Sequence, residues 1–174
     1  MDRQRRRARQ EIIARCGSGL DARTLFVETT RRMAQVVDWD RACWHTVDPA
    51  TLLFTSAFAV NLGPGEPRLP VHEYEIDDVN KWAYLARRPW PVGLLRQATH
   101  GHPDTSPRFR ELLRPRGVGD ELRASLVADG RCWGFSASTA TRAARSSART
   151  RPPSSSRSTR PSPAGCAARC CSTR

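Results

Sequence analysis

Lysine is almost missing from this 174-residue chain: Lys81 stands alone among 29 cationic residues, and the rest are arginine. No run of about 18 apolar residues occurs, which argues against a membrane-spanning helix. No apolar stretch follows the opening MDRQRRR, which argues against a secretory signal. Common catalytic signatures are missing as well. There is no glycine-rich phosphate loop, no serine–histidine–aspartate order and no zinc-ligand spacing. From Ser138 onward there is no acid and no leucine, isoleucine, valine, phenylalanine or tryptophan. Such a stretch cannot bury enough apolar surface to offset the entropy of ordering it, so 138–174 reads as a disordered basic tail.

What the chain does have is positive charge at its two ends. The formal net charge is +12; residues 1–9 carry five arginines and one aspartate, and 138–174 carry eight arginines. The ends account for the whole excess, so 10–137 is electrically balanced and is not a basic nucleic-acid-binding body. Of the six cysteines, three are scattered and three crowd the last nine residues. That placement does not suit a disulfide framework, and a reduced, cytoplasmic protein is expected.

The hydrophobic pattern changes period along the chain. Residues 2–16 read as a helix with Ile12, Ile13 and Cys16 on one face. Asp21 suits the N-cap of a second helix that carries Leu25, Phe26, Met33, Val36 and Val37 and ends near Asp38. RACWHTV (41–47) and LLFTSAF (52–58) flank an Asp-Pro turn and read as a hairpin. A loop is expected over 61–70, a helix over 71–88, and a short helix over 108–114 behind Ser106 and Pro107. Residues 121–127 and 131–136, around Asp129-Gly130, form a second expected hairpin. The layout is α+β with an antiparallel sheet and flanking helices. Its expected parts are a basic N-terminal helix or extension (1–19), a globular body (20–137) and the tail (138–174).

The tail begins inside what should be a core strand, which prompts a reading in a displaced nucleotide frame. There the third base of one codon joins the first two of the next. Cys170-Cys171 must then encode leucine, and Arg169-Cys170 and Gly165-Cys166 must each encode leucine, valine or methionine. Suitable codons upstream complete an ordinary amphipathic helix with acids in its first turn. Local pattern and global fold agree in the displaced frame and conflict in the written one, so a frameshifted ending is expected.

LFVETTRRM (25–33), DWDRACW (38–44) and TVDPAT (46–51) resemble the opening of a GAF-type sensory domain. EIDDVNKWAYLAR (75–87), RFRELLRP (108–115), GDELRA (119–124) and DGRCWG (129–134) resemble the GAF-like N-terminal half of actinobacterial LuxR-type transcriptional regulators. The likeness spans about 10–137, and the Arg-rich composition with a single lysine agrees with a high-GC genome. It implies a non-enzymatic domain that holds a small-molecule or protein signal between a sheet face and its loops, with no cofactor. It further implies a helix-turn-helix domain, for which no room is expected in these 174 residues, and a last helix that the displaced frame would supply. DNA would be reached only through that missing domain, and a homodimer is compatible with the role.

Strand alternation places Trp44 and Thr46 on one face of the first strand, and groups Phe54 with Ser56 and Trp133 with Phe135. With Trp82 and Tyr84 from the helical insertion, these eight are the candidate pocket residues, although aromatics at such spacing also serve as plain core. Cys43 and Cys132 each neighbour a tryptophan and would be the pair in an alternative reading, a thiol redox enzyme of the sulfoxide-reducing kind. A further alternative is nucleic-acid binding through the basic termini. His100 and His102 lack the partners for a metal site, and no metal is expected. Asp77-Asp78 fits a helix start, and Asp120-Glu121 a solvated strand end.

The displaced frame makes a checkable prediction. Sequencing the gene from the Ser138 codon through a few hundred downstream bases should reveal, one frame over, a continuous reading that encodes an amphipathic helix. A conserved Arg-Ser-Pro ending in near relatives would overturn it.

Overall fold

The computed structural model describes residues 3–62 and 65–141. The first helix, α1 (Arg3–Cys16), is so arginine-rich that Ala8 is its buried residue; Ile13 and Cys16 of the expected apolar face are exposed. In α2 (Ala22–Met33) the Asp21 carboxylate accepts the Thr24 N–H at 3.0 Å and so caps the helix. This helix ends at Met33 rather than near Asp38. The Asp40 N–H must already donate to the Thr139 carbonyl, at 3.0 Å, so the intervening residues are needed as turn to reach the sheet. Arg32 clamps the two helices, pairing with Glu28 at 2.5 Å and Glu11 at 3.4 Å.

Strand β1 (Arg41–Val47) spans the expected residues, and β2 (Phe54–Val60) starts two residues later than expected. Leu52 sits at φ +61° with its N–H on the Asp48 carbonyl at 2.8 Å, so Leu52 and Leu53 belong to the turn. The Asp48 carboxylate steadies that turn by accepting the N–H groups of Ala50 and Thr51. The long hairpin pairs β4 (Val118–Ala128) with β5 (Arg131–Thr141). Its tip is the expected Asp129-Gly130, at φ +50° and +72°, as a two-residue mirror-image turn requires.

Both strands outrun their expected lengths. β5 continues past Ser138, and Ser138 and Thr139 are buried between Ala42 and Arg41 on one side and Leu122 and Glu121 on the other. The body therefore reaches Thr141, because two flanking ladders satisfy the backbone whatever the polarity of the side chains. The tail and frame expectations for 142–174 lie outside the described residues.

A short strand, β3 (Val92–Leu94), and a one-turn helix, α5 (Leu95–Ala98), were not expected at all. Gly93 lets β3 lie close to Asn80, whose side chain a Cβ there would strike. The sheet is five-stranded and antiparallel, in the order β2-β1-β5-β4-β3. The helix expected over 71–88 is instead two short ones, α3 (Leu69–Tyr74) and α4 (Trp82–Leu85). Between them Asn80 turns to φ +55°, and the Glu73 carboxylate takes the Trp82 N–H at 2.6 Å, so side-chain bonding replaces helix there. The expected 108–114 helix is a π turn, Phe109–Leu113, continued by a 3-10 turn, Arg114–Arg116, that Gly117 ends at φ +73°. Among the described residues no helix is long and apolar enough to cross a membrane.

Alternation gives the sheet two faces. Trp44 faces α2, stacked on Phe26 at 4.9 Å, with its indole N–H on the Thr30 hydroxyl at 2.8 Å. Cross-strand pairing puts Val92 and Leu94 on the same side, where both are exposed. On the opposite face Trp82 stacks parallel on Phe135 at 5.1 Å and donates to the Ser136 carbonyl at 3.0 Å. Val47, Leu85, Cys132 and Ala137 complete that core. Trp82→Ala should cost about 3–5 kcal/mol by urea denaturation. Tyr84→Ala, at a half-exposed side chain, should stay within about 0.5 kcal/mol.

Candidate functional site

The register of four strands builds one concave face. Ala59, Cys43, Ala137 and Arg123 lie side by side in one row across β2, β1, β5 and β4. Ala57, His45, Phe135 and Ser125 form the next row, and Arg41, Thr139 and Glu121 the row on the other side. Three alanines and a cysteine in the middle of this grid leave space that larger side chains would fill. That space is a cavity of about 320 Å³, at the small end of ligand pockets, and Leu69 and Leu112 line it from the segment that crosses the sheet.

A buried ion-pair network edges this cavity. Arg108 is fully buried and donates through Nε and Nη2 to Glu121 Oε2, at 3.1 and 2.8 Å. Its Nη1 lies 3.3 Å from Asp78 Oδ2. Arg123, also fully buried, donates through Nη1 to Glu73 at 2.9 Å and to the Asn80 carbonyl at 3.1 Å. Its guanidinium lies over the Trp82 ring, 3.6 Å from the centroid. Burial would raise the Glu121 carboxyl, but Arg108 and Arg123 outweigh it and hold it below the usual carboxylate range.

Several polar atoms of residues around the cavity are buried without accessible surface and without a hydrogen-bond partner among the described residues. They are both ring nitrogens of His45, the Thr139 hydroxyl and Nη2 of Arg123, whereas Arg123 Nε lies 3.4 Å from Glu121 Oε1. His45 is 6 % exposed and Thr139 8 %. Burial, with the nearby Arg123 charge, lowers His45 to about 4, so its imidazole is neutral at physiological pH. Its ring stacks on Phe54, with centroids 4.4 Å apart. Burial likewise pushes the Cys43 thiol up to about 11.

The eight residues singled out by sequence fall into three groups. Trp82 lines the cavity, with Phe54 and Phe135 packed against it on the same face. Trp44, Thr46 and Ser56 lie on the opposite face, where the Thr46 and Ser56 hydroxyls bond each other. Tyr84 and Trp133 are 52 % and 51 % exposed. Two ladder irregularities separate residues that strict alternation had grouped. A slip at Thr46/Val47 sets Phe54 and Ser56 on different faces, and another at Leu126/Val127 puts Cys132, rather than Trp133, with Phe135.

The other sequence candidates also find their places. Cys132 pairs with Val127, five residues along β5 from Ala137, the partner of Cys43. At about 3.3 Å per residue the two thiols are on the order of 16 Å apart along the strand, too far to pair. Asp120 and Glu121 are buried rather than solvated, and Asp78 caps the Ser106 turn rather than a helix start. His100 and His102 are exposed, and no metal-competent group of three ligands occurs among the described residues. Sequence reasoning passed over His45, Arg108, Arg123 and Thr139. The one available signal was the alternation of Glu121, Arg123 and Ser125 against Leu122, Ala124 and Leu126, which reads as an ordinary solvated face.

His45 makes stability depend on pH with a definite sign. The unfolded chain binds its proton near pH 6.5, the folded chain only near 4, so the unfolded state holds more protons in between. Stability should therefore fall as pH drops from 6.5 to 4, by roughly 3 kcal/mol from this group. His45→Phe should flatten that window in urea titrations, and an unchanged profile would exclude the assignment.

Set beside known proteins, the chain matches no protein-family model and no curated protein.

Proposed function

We propose that this chain is a signal-sensing regulatory module, GAF-like in kind and related to the sensory half of LuxR-type transcriptional regulators, that binds a small molecule in the cytoplasm. One observation carries the reading: a cavity of about 320 Å³ over a row of small side chains, Ala59, Cys43 and Ala137, with Arg41 at its edge. The cavity also joins two parts of the molecule. Its floor is sheet, while Leu69, Arg108 and Leu112 come from the crossing segment. A ligand held between them favours one arrangement of that segment over others, which is how occupancy would be read by an attached or associated effector.

Ala137→Leu tests this by filling the middle of the floor. A thermal-shift screen of small metabolites against the whole chain should yield ligands that stabilise the wild type. At a hundredfold excess over Kd the gain is about 2.7 kcal/mol. The same ligands should not stabilise Ala137→Leu, whereas Trp133→Ala, at an exposed site, should respond normally. Ligands that act equally on Ala137→Leu would place binding elsewhere.

A further inference from the structure

The charge around the cavity is unevenly divided, and the division points to the class of ligand. Beside and beneath the floor each charged group has a partner. Arg108 and Arg123 face Glu73, Asp78 and Glu121, all of them buried or with buried charged groups. Lys81 is tied off as well, donating to the Ile76 carbonyl at 2.9 Å. An ionic group placed there would disturb a paired, desolvated network, so the floor favours neutral chemistry.

The Arg41 end differs. Arg41 donates to the Arg116 carbonyl at 3.1 Å and has no carboxylate within ion-pair distance among the described residues. Glu66 is already shared by Arg68 at 3.2 Å and Arg116 at 2.9 Å. Three guanidinium groups thus meet one carboxylate at this rim, and Arg41 and Arg116 line the cavity itself. Between this end and His45 the surface is apolar, made by Ala57, Ala59, Ala137 and Leu69, with the neutral Cys43 thiol among them. Arg41 and His45 are four residues apart on β1, on the order of 13 Å along the strand. After the arginine side chain has taken its share, the gap suits one ring with a short side chain.

We propose that the cavity takes a small organic carboxylate with an apolar, ring-sized body, its carboxylate at Arg41 and its ring over Ala59, Cys43 and Ala137. The proposal rests on the ligand-binding reading above and adds the chemistry. A bidentate guanidinium–carboxylate contact anchors one end.

Matched probes separate the parts. Cinnamate, 4-hydroxycinnamate and the primary amide of each are titrated calorimetrically into the whole chain. The acids should bind at least tenfold more tightly than their amides. Arg41→Gln should weaken both acids about tenfold and leave the amides unchanged. The urea midpoint of Arg41→Gln at pH 7 shows whether the fold is retained. Amides binding as well as acids, or acids indifferent to Arg41→Gln, would overturn the carboxylate assignment and leave the cavity reading standing. Failure of all four probes would overturn the assignment, and only a screen without cavity-dependent ligands would overturn the reading beneath it.

Discussion

The contact of Arg108 and Arg123 with Glu121 and Glu73 governs how this molecule is put together. Two guanidinium groups and two carboxylates have been taken out of water together, with Asp78 and the Asn80 carbonyl as further acceptors. A buried ion pair adds little net stability, because desolvation cancels much of the attraction. Its strength lies in intolerance: removing one member strands the others, at about 3–5 kcal/mol. The network thereby specifies one arrangement. Glu73 and Arg108 belong to the segment that crosses the sheet, while Glu121 and Arg123 belong to β4, so the crossing segment can dock in only one register.

That same requirement explains the irregular backbone of the segment. A regular helix over 71–88 would carry Glu73 away from both Trp82 and Arg123. The chain instead breaks after α3, turns through Asn80 at positive φ, and restarts at Trp82 with the Glu73 carboxylate on its first N–H. Trp82 is then fixed between the Arg123 guanidinium and the Phe135 ring. The cavity opens where this packing stops, over the row of small side chains at Ala59, Cys43 and Ala137. Core and cavity share one sheet face, and the difference between them is side-chain volume alone.

Much of the framework was legible from local pattern. The Asp21 cap, the β1 strand and the Asp129-Gly130 turn depend on residues close in sequence, and each stands where periodicity and turn chemistry put it. The candidate site was less legible. Of the eight pocket candidates, Trp82, Phe54 and Phe135 share the cavity's face, whereas Trp44, Thr46 and Ser56 lie across the sheet. Alternation was the right rule, interrupted by two slips in register that no composition of Thr46, Val47, Leu126 and Val127 announces.

By itself the sequence determined the α+β layout, the two hairpins, the neutrality of the body and the confinement of excess charge to its ends, since all of these follow from nearest neighbours and counting. Only the tertiary structure decided that the polar side of β4 is the buried side. A glutamate and an arginine on alternating positions look solvated until partners arrive from 13 and 50 residues away, as Arg108 does for Glu121 and Glu73 for Arg123. Desolvation depends on what covers a group, and that cover is set by the folded chain rather than by its neighbours in sequence.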